Sequence, residues 1–256
     1  MSAALDFVHP RGEIFSLLLV ALALTVAAPR VALLVGLERR RVADLFWNAG
    51  IAFVVVGRAA YLLDEASGSL LDPLVAIRVQ GGIAPIAGAL AAAAVATWMM
   101  YRGPGDNDDV RSASGAWLSA WGLGLALAVT TYDLACPLRD ACYGAQAPAP
   151  LGFTMSGFAD TRLATPLVEA ALMLLGLGLL LASWPHWRPG VPGLFAVLAV
   201  AGLRLGLTPM SVAGWPGLTP EVLVLSLVSA MGLAGVIVLQ AATAEAPPPP
   251  TIAPSG

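Results

Sequence analysis

Arg58, Asp133, Glu169 and Arg204 are ionisable residues set in stretches otherwise apolar enough to cross a membrane. A charged side chain at bilayer depth costs at least a few kcal/mol, so it faces a polar cavity or a partner and marks a functional site. Two chemistries fit these four. Guanidinium forks match phosphate bidentately, so Arg58 and Arg204 suit an anionic headgroup, with Glu169 orienting an arginine or moving a proton. Alternatively, the arginines snorkel to the surface or pair with Glu169 and Asp133 to lock helices together. The residue types alone leave both open, and Asp133, nearer its helix exit, is the minor member in either.

The elements that must carry these residues are helical spans. The chain is 58% hydrophobic and 11% charged, with a mean hydropathy of +0.82, which is the composition of a polytopic membrane protein and not of a soluble domain. Seven apolar stretches, 14–28, 42–63, 83–100, 116–136, 163–184, 191–207 and 222–241, are mostly near the roughly 20 residues a spanning helix needs. The first is short and the sixth marginal. The expected fold is all-α with about seven transmembrane helices in one domain over 1–244, followed by a Pro-rich, disordered tail over 245–256. Asp6 and Glu13 ahead of the first stretch argue against a signal peptide, which begins with positive charge.

Alternate loops divide the arginines unequally. One side collects Arg30, Arg39, Arg40, Arg41, Arg102, Arg111 and Arg188; the other holds Arg11, Arg78, Arg139 and Arg162. The richer side is expected in the cytoplasm, which puts the N-terminus outside and the C-terminus inside. All four intramembrane charges then fall in the outer half of the bilayer, with Arg58 about 8 Å before the outer end of its helix. The outer loop 137–162 is about as long as a span and is the expected substrate-specific cap.

Several classes are excluded. All 13 basic residues are arginine, and without lysine neither a retinal nor any other lysine Schiff base can form. A net charge of −3 predicts no nucleic-acid partner. The two histidines, His9 and His186, fall on opposite sides, which leaves no zinc site, no bis-His haem and no Ser-His-Asp triad, so no metal and no cofactor is expected. Cys136 and Cys142, both on the outer side, are compatible with a disulfide and equally with free thiols. Gly81, Gly82 and Gly88 around Pro85 expose backbone N–H groups or serve close helix packing; the small residues of 84–96 favour packing.

The order of features from Arg39 to Gly82 resembles prolipoprotein diacylglyceryl transferase: a basic inner loop, a helix ending Val-Gly-Arg58-Ala-Ala-Tyr61-Leu-Leu, then Asp72-Pro73-Leu74 and Arg78-Val-Gln80-Gly81-Gly82. Arg162-Leu-Ala-Thr-Pro-Leu-Val-Glu169-Ala is similar to that family's fifth-helix motif, and Gly193-Leu-Phe ahead of Gly202-Leu-Arg204 to its sixth. The resemblance implies an enzyme of the bacterial inner membrane that moves diacylglyceryl from phosphatidylglycerol to the lipobox cysteine of a prolipoprotein signal peptide. It implies catalytic roles for Arg204, Arg58 and Glu169, and substrate contacts for Arg78, Gln80, Gly81, Gly82, Tyr61, Arg162 and Asp133. Ile86 stands where the family has its histidine, Leu127 near its second essential arginine, and no tyrosine precedes Tyr61. Loss of a base and a phosphate clamp each removes orders of magnitude in rate. Three functions remain: a divergent transferase, a non-catalytic homologue that binds phospholipid or serves in a membrane complex, and an anion transporter.

Overall fold

The computed structural model describes residues 12–65, 84–102, 110–139, 142–148, 152–154, 160–210 and 224–235. Arg78, Gln80, Gly81, Gly82 and the tail 245–256 lie outside the described residues. Helices occupy each of the seven apolar stretches: α1 (Gly12–Val35), α2 (Arg39–Glu65), α3 (Pro85–Tyr101), α4 (Val110–Leu134), α5 (Thr165–Ala182), α6 (Val191–Leu207) and α7 (Val224–Gly235). Four segments, Ile14–Val35, Arg39–Leu63, Thr165–Ala182 and Val191–Met210, are long and apolar enough to cross a membrane, and α3 and α7 contribute shorter apolar helices. Their outward faces carry large apolar side chains, among them Leu22, Leu33, Val55, Leu175 and Leu179. An apolar surface of that extent is the lipid-facing side of a membrane protein.

The first helix is longer than its sequence suggests. Ala28-Pro29 reads as a stop, yet α1 runs through Pro29 to Val35. In an apolar surrounding a broken helix has no water to satisfy its freed backbone groups, so proline is accommodated rather than obeyed. The true stop is Gly36 at φ 72°, a left-handed position that favours glycine. The Leu37 N–H then donates back to the Ala32 carbonyl at 3.0 Å, closing the helix with a Schellman bond.

α4 is the hub, with α1, α5 and α6 all packed on it. Its composition explains this. Gly115, Ser119, Gly122 and Gly124 let neighbours approach closely, as membrane helices do through small residues. At Gly122 and Gly193 the backbones of α4 and α6 touch, and a Cβ on either glycine would collide with main-chain atoms of the other helix. Gly124 likewise receives the Phe46 ring of α2. Trp117, Ala120, Leu123 and Ala126 of α4 meet Val42, Leu45, Phe46, Met173, Ala196 and Val200 in the core.

The remaining helices attach around this centre. α3 runs antiparallel to α2, with the Ala84 N–H donating to the Gly57 carbonyl at 2.9 Å and Gly88 against Phe53, so Gly88 serves packing. α7 leans on Leu194 and Leu198 of α6 through Gly232 and Gly235. At one end of the bundle the turn 183–190 folds back onto α1 and α4. The Trp184 indole donates to the Leu34 carbonyl at 3.1 Å, and the Gly190 N–H donates to Ser119 Oγ at 2.9 Å.

Replacing Gly193 by leucine should lower stability by about 1–3 kcal/mol, the usual cost of overpacking, and more if the α4–α6 crossing opens. Thermal unfolding in detergent reads this as a fall in Tm relative to the wild type. Gly176→Leu on α5, where nothing lies within 4 Å of the added carbon, should leave Tm nearly unchanged.

Candidate functional site

Three of the four charges set in apolar stretches meet. Arg204 Nε donates to Glu169 Oε1 at 2.9 Å, and Arg204 Nη2 lies 3.4 Å from both Asp133 carboxylate oxygens. The periodicity of the helices brings them together. Asp133 continues the buried stripe Ala126–Thr130 of α4, Glu169 precedes Met173 by one turn on α5, and Arg204 follows Val200 by one turn on α6. Because α4 and α6 run one way and α5 the other, the end of α4, the start of α5 and the end of α6 coincide.

Burial is unequal within the triad. The Asp133 and Glu169 side chains are only 6% and 10% exposed, whereas Arg204 keeps 36%. Two buried acids therefore hold one arginine whose side chain, taken whole, is only partly covered. Asp133, expected nearer water as the minor member, is the more deeply buried acid. Cys136, at the start of a 3₁₀ turn (Cys136–Arg139), is joined to Cys142 by a disulfide in this structure.

That loop forms a small cap. The Ala145 N–H and the Thr165 hydroxyl both donate to the Met210 carbonyl, at 2.7 Å and 3.0 Å, and the Leu163 N–H donates to the Ala145 carbonyl at 3.0 Å. Two short strands, β1 (Phe153–Thr154) and β2 (Thr161–Arg162), pair antiparallel, and Gln146 bridges to Arg162. Arg162 itself bonds the Gly144 carbonyl at 3.2 Å and Asp160 at 3.3 Å. The cap thus ties together the ends of α4, α5 and α6 that carry the triad. The Met210 carbonyl is invisible to sequence reasoning, since any residue type supplies it. Arg139 is a further cation at this end; its guanidinium stacks 3.7 Å above the Tyr132 ring and donates to the Tyr132 carbonyl at 2.9 Å.

Arg58 and Tyr61 are on α2, which packs chiefly against α1 and α3, and the Arg58 guanidinium lies 5.4 Å from the Tyr61 ring centre. Among the described residues no group of three or more His, Cys, Asp or Glu is arranged around a metal position. No protein-family model matches the chain, and no curated protein matches it.

Arg204→Ala would strand two buried carboxylates, and breaking a buried pair in this way costs about 3 kcal/mol or more. A lower Tm in detergent, with partial recovery in Arg204→Lys, is the expected outcome. Both cysteines should resist maleimide until a reductant is added; intact mass should then show two adducts.

Proposed function

We propose that the chain is a multi-pass protein of the bacterial inner membrane, with seven crossings, that binds the phosphate of an anionic phospholipid such as phosphatidylglycerol beside Arg204. It is a divergent, non-catalytic relative of prolipoprotein diacylglyceryl transferase. The observation that carries this reading is the form of the triad: an arginine fixed from behind by two buried carboxylates while more than a third of its side chain stays open. A guanidinium held rigidly loses little entropy when it takes a bidentate oxyanion. The Asp133 contacts are the longer ones, so a phosphate can displace them while Glu169 keeps its grip on Nε.

The non-catalytic part follows from what is absent. Family chemistry needs a thiolate, and an unassisted thiol near pH 7 is only a few per cent ionised. Ile86 offers no base where the family has histidine, and Leu127 offers no second clamp. A catalytic second reading is favoured by Arg58, Arg204 and Glu169 standing at matched positions in matched order. In it, the lipobox thiolate attacks the glycerol carbon, the carbon–oxygen bond to phosphate breaks, and glycerol phosphate leaves with its charge held by Arg204. The thiol proton would go to Glu169.

Protein purified from membranes containing phosphatidylglycerol should retain that lipid. Incubated with it and a lipobox peptide, it should yield no diacylglyceryl adduct by mass spectrometry. An adduct would establish the transferase reading instead. Full lipid retention by Arg204→Ala would overturn both.

A further inference from the structure

With every group ionised, the triad holds two negative side chains against one positive. A phosphodiester arriving at the open face of Arg204 adds a second excess negative charge within reach of both carboxylates. Like charges sharing one site in a low-dielectric surrounding resist joint ionisation, and the site relieves this most simply by taking up a proton.

We infer that headgroup binding at Arg204 is coupled to uptake of one proton by the Asp133–Glu169 pair. This rests on the headgroup-binding reading and adds a control to it. The balance is simple. Water delivers one proton, one carboxylate becomes a neutral carboxyl, the phosphodiester brings one negative charge, and the net charge of the site is the same before and after. On release of the lipid the proton returns to water. A neutral carboxyl is also a donor, so the protonated member can hydrogen-bond the phosphate it would otherwise repel.

The charged groups around the pair can be named element by element. α4 gives Asp133 and the turn after it Arg139, whose guanidinium stacks over the Tyr132 ring. Glu169 comes from α5 and Arg204 from α6. On the cap, Arg162 is occupied by Asp160. The start of α1 reaches Leu138 through Gly12, with Glu13 beside it and His9 and Arg11 preceding it outside the described residues. His186 lies at the opposite end of the bundle, in the turn with Trp184.

The chain's composition makes the coupling readable. Between about pH 5 and about pH 8 histidine is the only side chain that titrates when unperturbed, and His9 and His186 are the only two. A variant with both changed to glutamine removes that background. The phosphodiester stays monoanionic across the same range, so any slope belongs to the protein.

Phosphatidylglycerol is titrated into the full-length, histidine-free protein in detergent at several pH values. The affinity should fall by about tenfold per pH unit as pH rises, the slope of one linked proton. A pH-indicator dye should register about one proton taken up per lipid bound. Asp133→Asn or Glu169→Gln should flatten the slope. Competition by water-soluble glycerophosphoglycerol with the same slope supports coupling at the headgroup; a slope confined to the intact lipid overturns it. Binding with pH-independent affinity, or a slope that survives in both amide variants, overturns the coupling and leaves the headgroup site standing. No binding at any pH overturns the headgroup reading and the coupling together.

Discussion

One guanidinium joins three helices. Arg204 is the point where the ends of α4, α5 and α6 meet, and its bonds to Asp133 and Glu169 are the strongest polar links among them. In a membrane, apolar side chains gain little by leaving lipid for one another, so helices associate through close packing and polar contacts. The bundle uses each in its own place: bare backbone contact at Gly122–Gly193 in the middle and charge at the end. Arg204 is structural, and its side chain taken whole is still only partly covered.

The disulfide and the cap protect that end. The Cys136–Cys142 disulfide closes the turn that follows α4. With it, the main-chain carbonyl of Met210 gathers donors from Ala145 and Thr165. The cap therefore sets how dry the triad is. Dryness in turn sets how strongly its charges act on one another.

Much of the frame was legible in the residues. Hydropathy located the helices, because lipid leaves the pattern little alternative, and the direction of alternate helices put Asp133, Glu169 and Arg204 at one end. Three things were not legible. The end of α1 was read at Pro29, the commoner helix breaker in water, when Gly36 held the left-handed stop. The burial of Asp133 goes with its contact to Arg204, 71 residues along the chain. Which of the two open readings of Arg204 held, here the pairing with Glu169 and Asp133, depended on which helices are neighbours. Continuing the buried stripe of each helix by one more turn would have found it: Thr130 to Asp133, Val200 to Arg204, and Met173 back to Glu169.

The crossing of α4 and α6 has a mechanical meaning. The two helices are joined at Ser119–Gly190 near one surface, at Gly122–Gly193 just beyond it, and at Asp133–Arg204 near the other. From Ser119 to Asp133 that is about 21 Å of helix. Pinned at both ends and seated glycine on glycine, the pair is a strut that can neither slide nor splay. Any breathing of the protein in its bilayer must then be carried by the helices leaning on this strut.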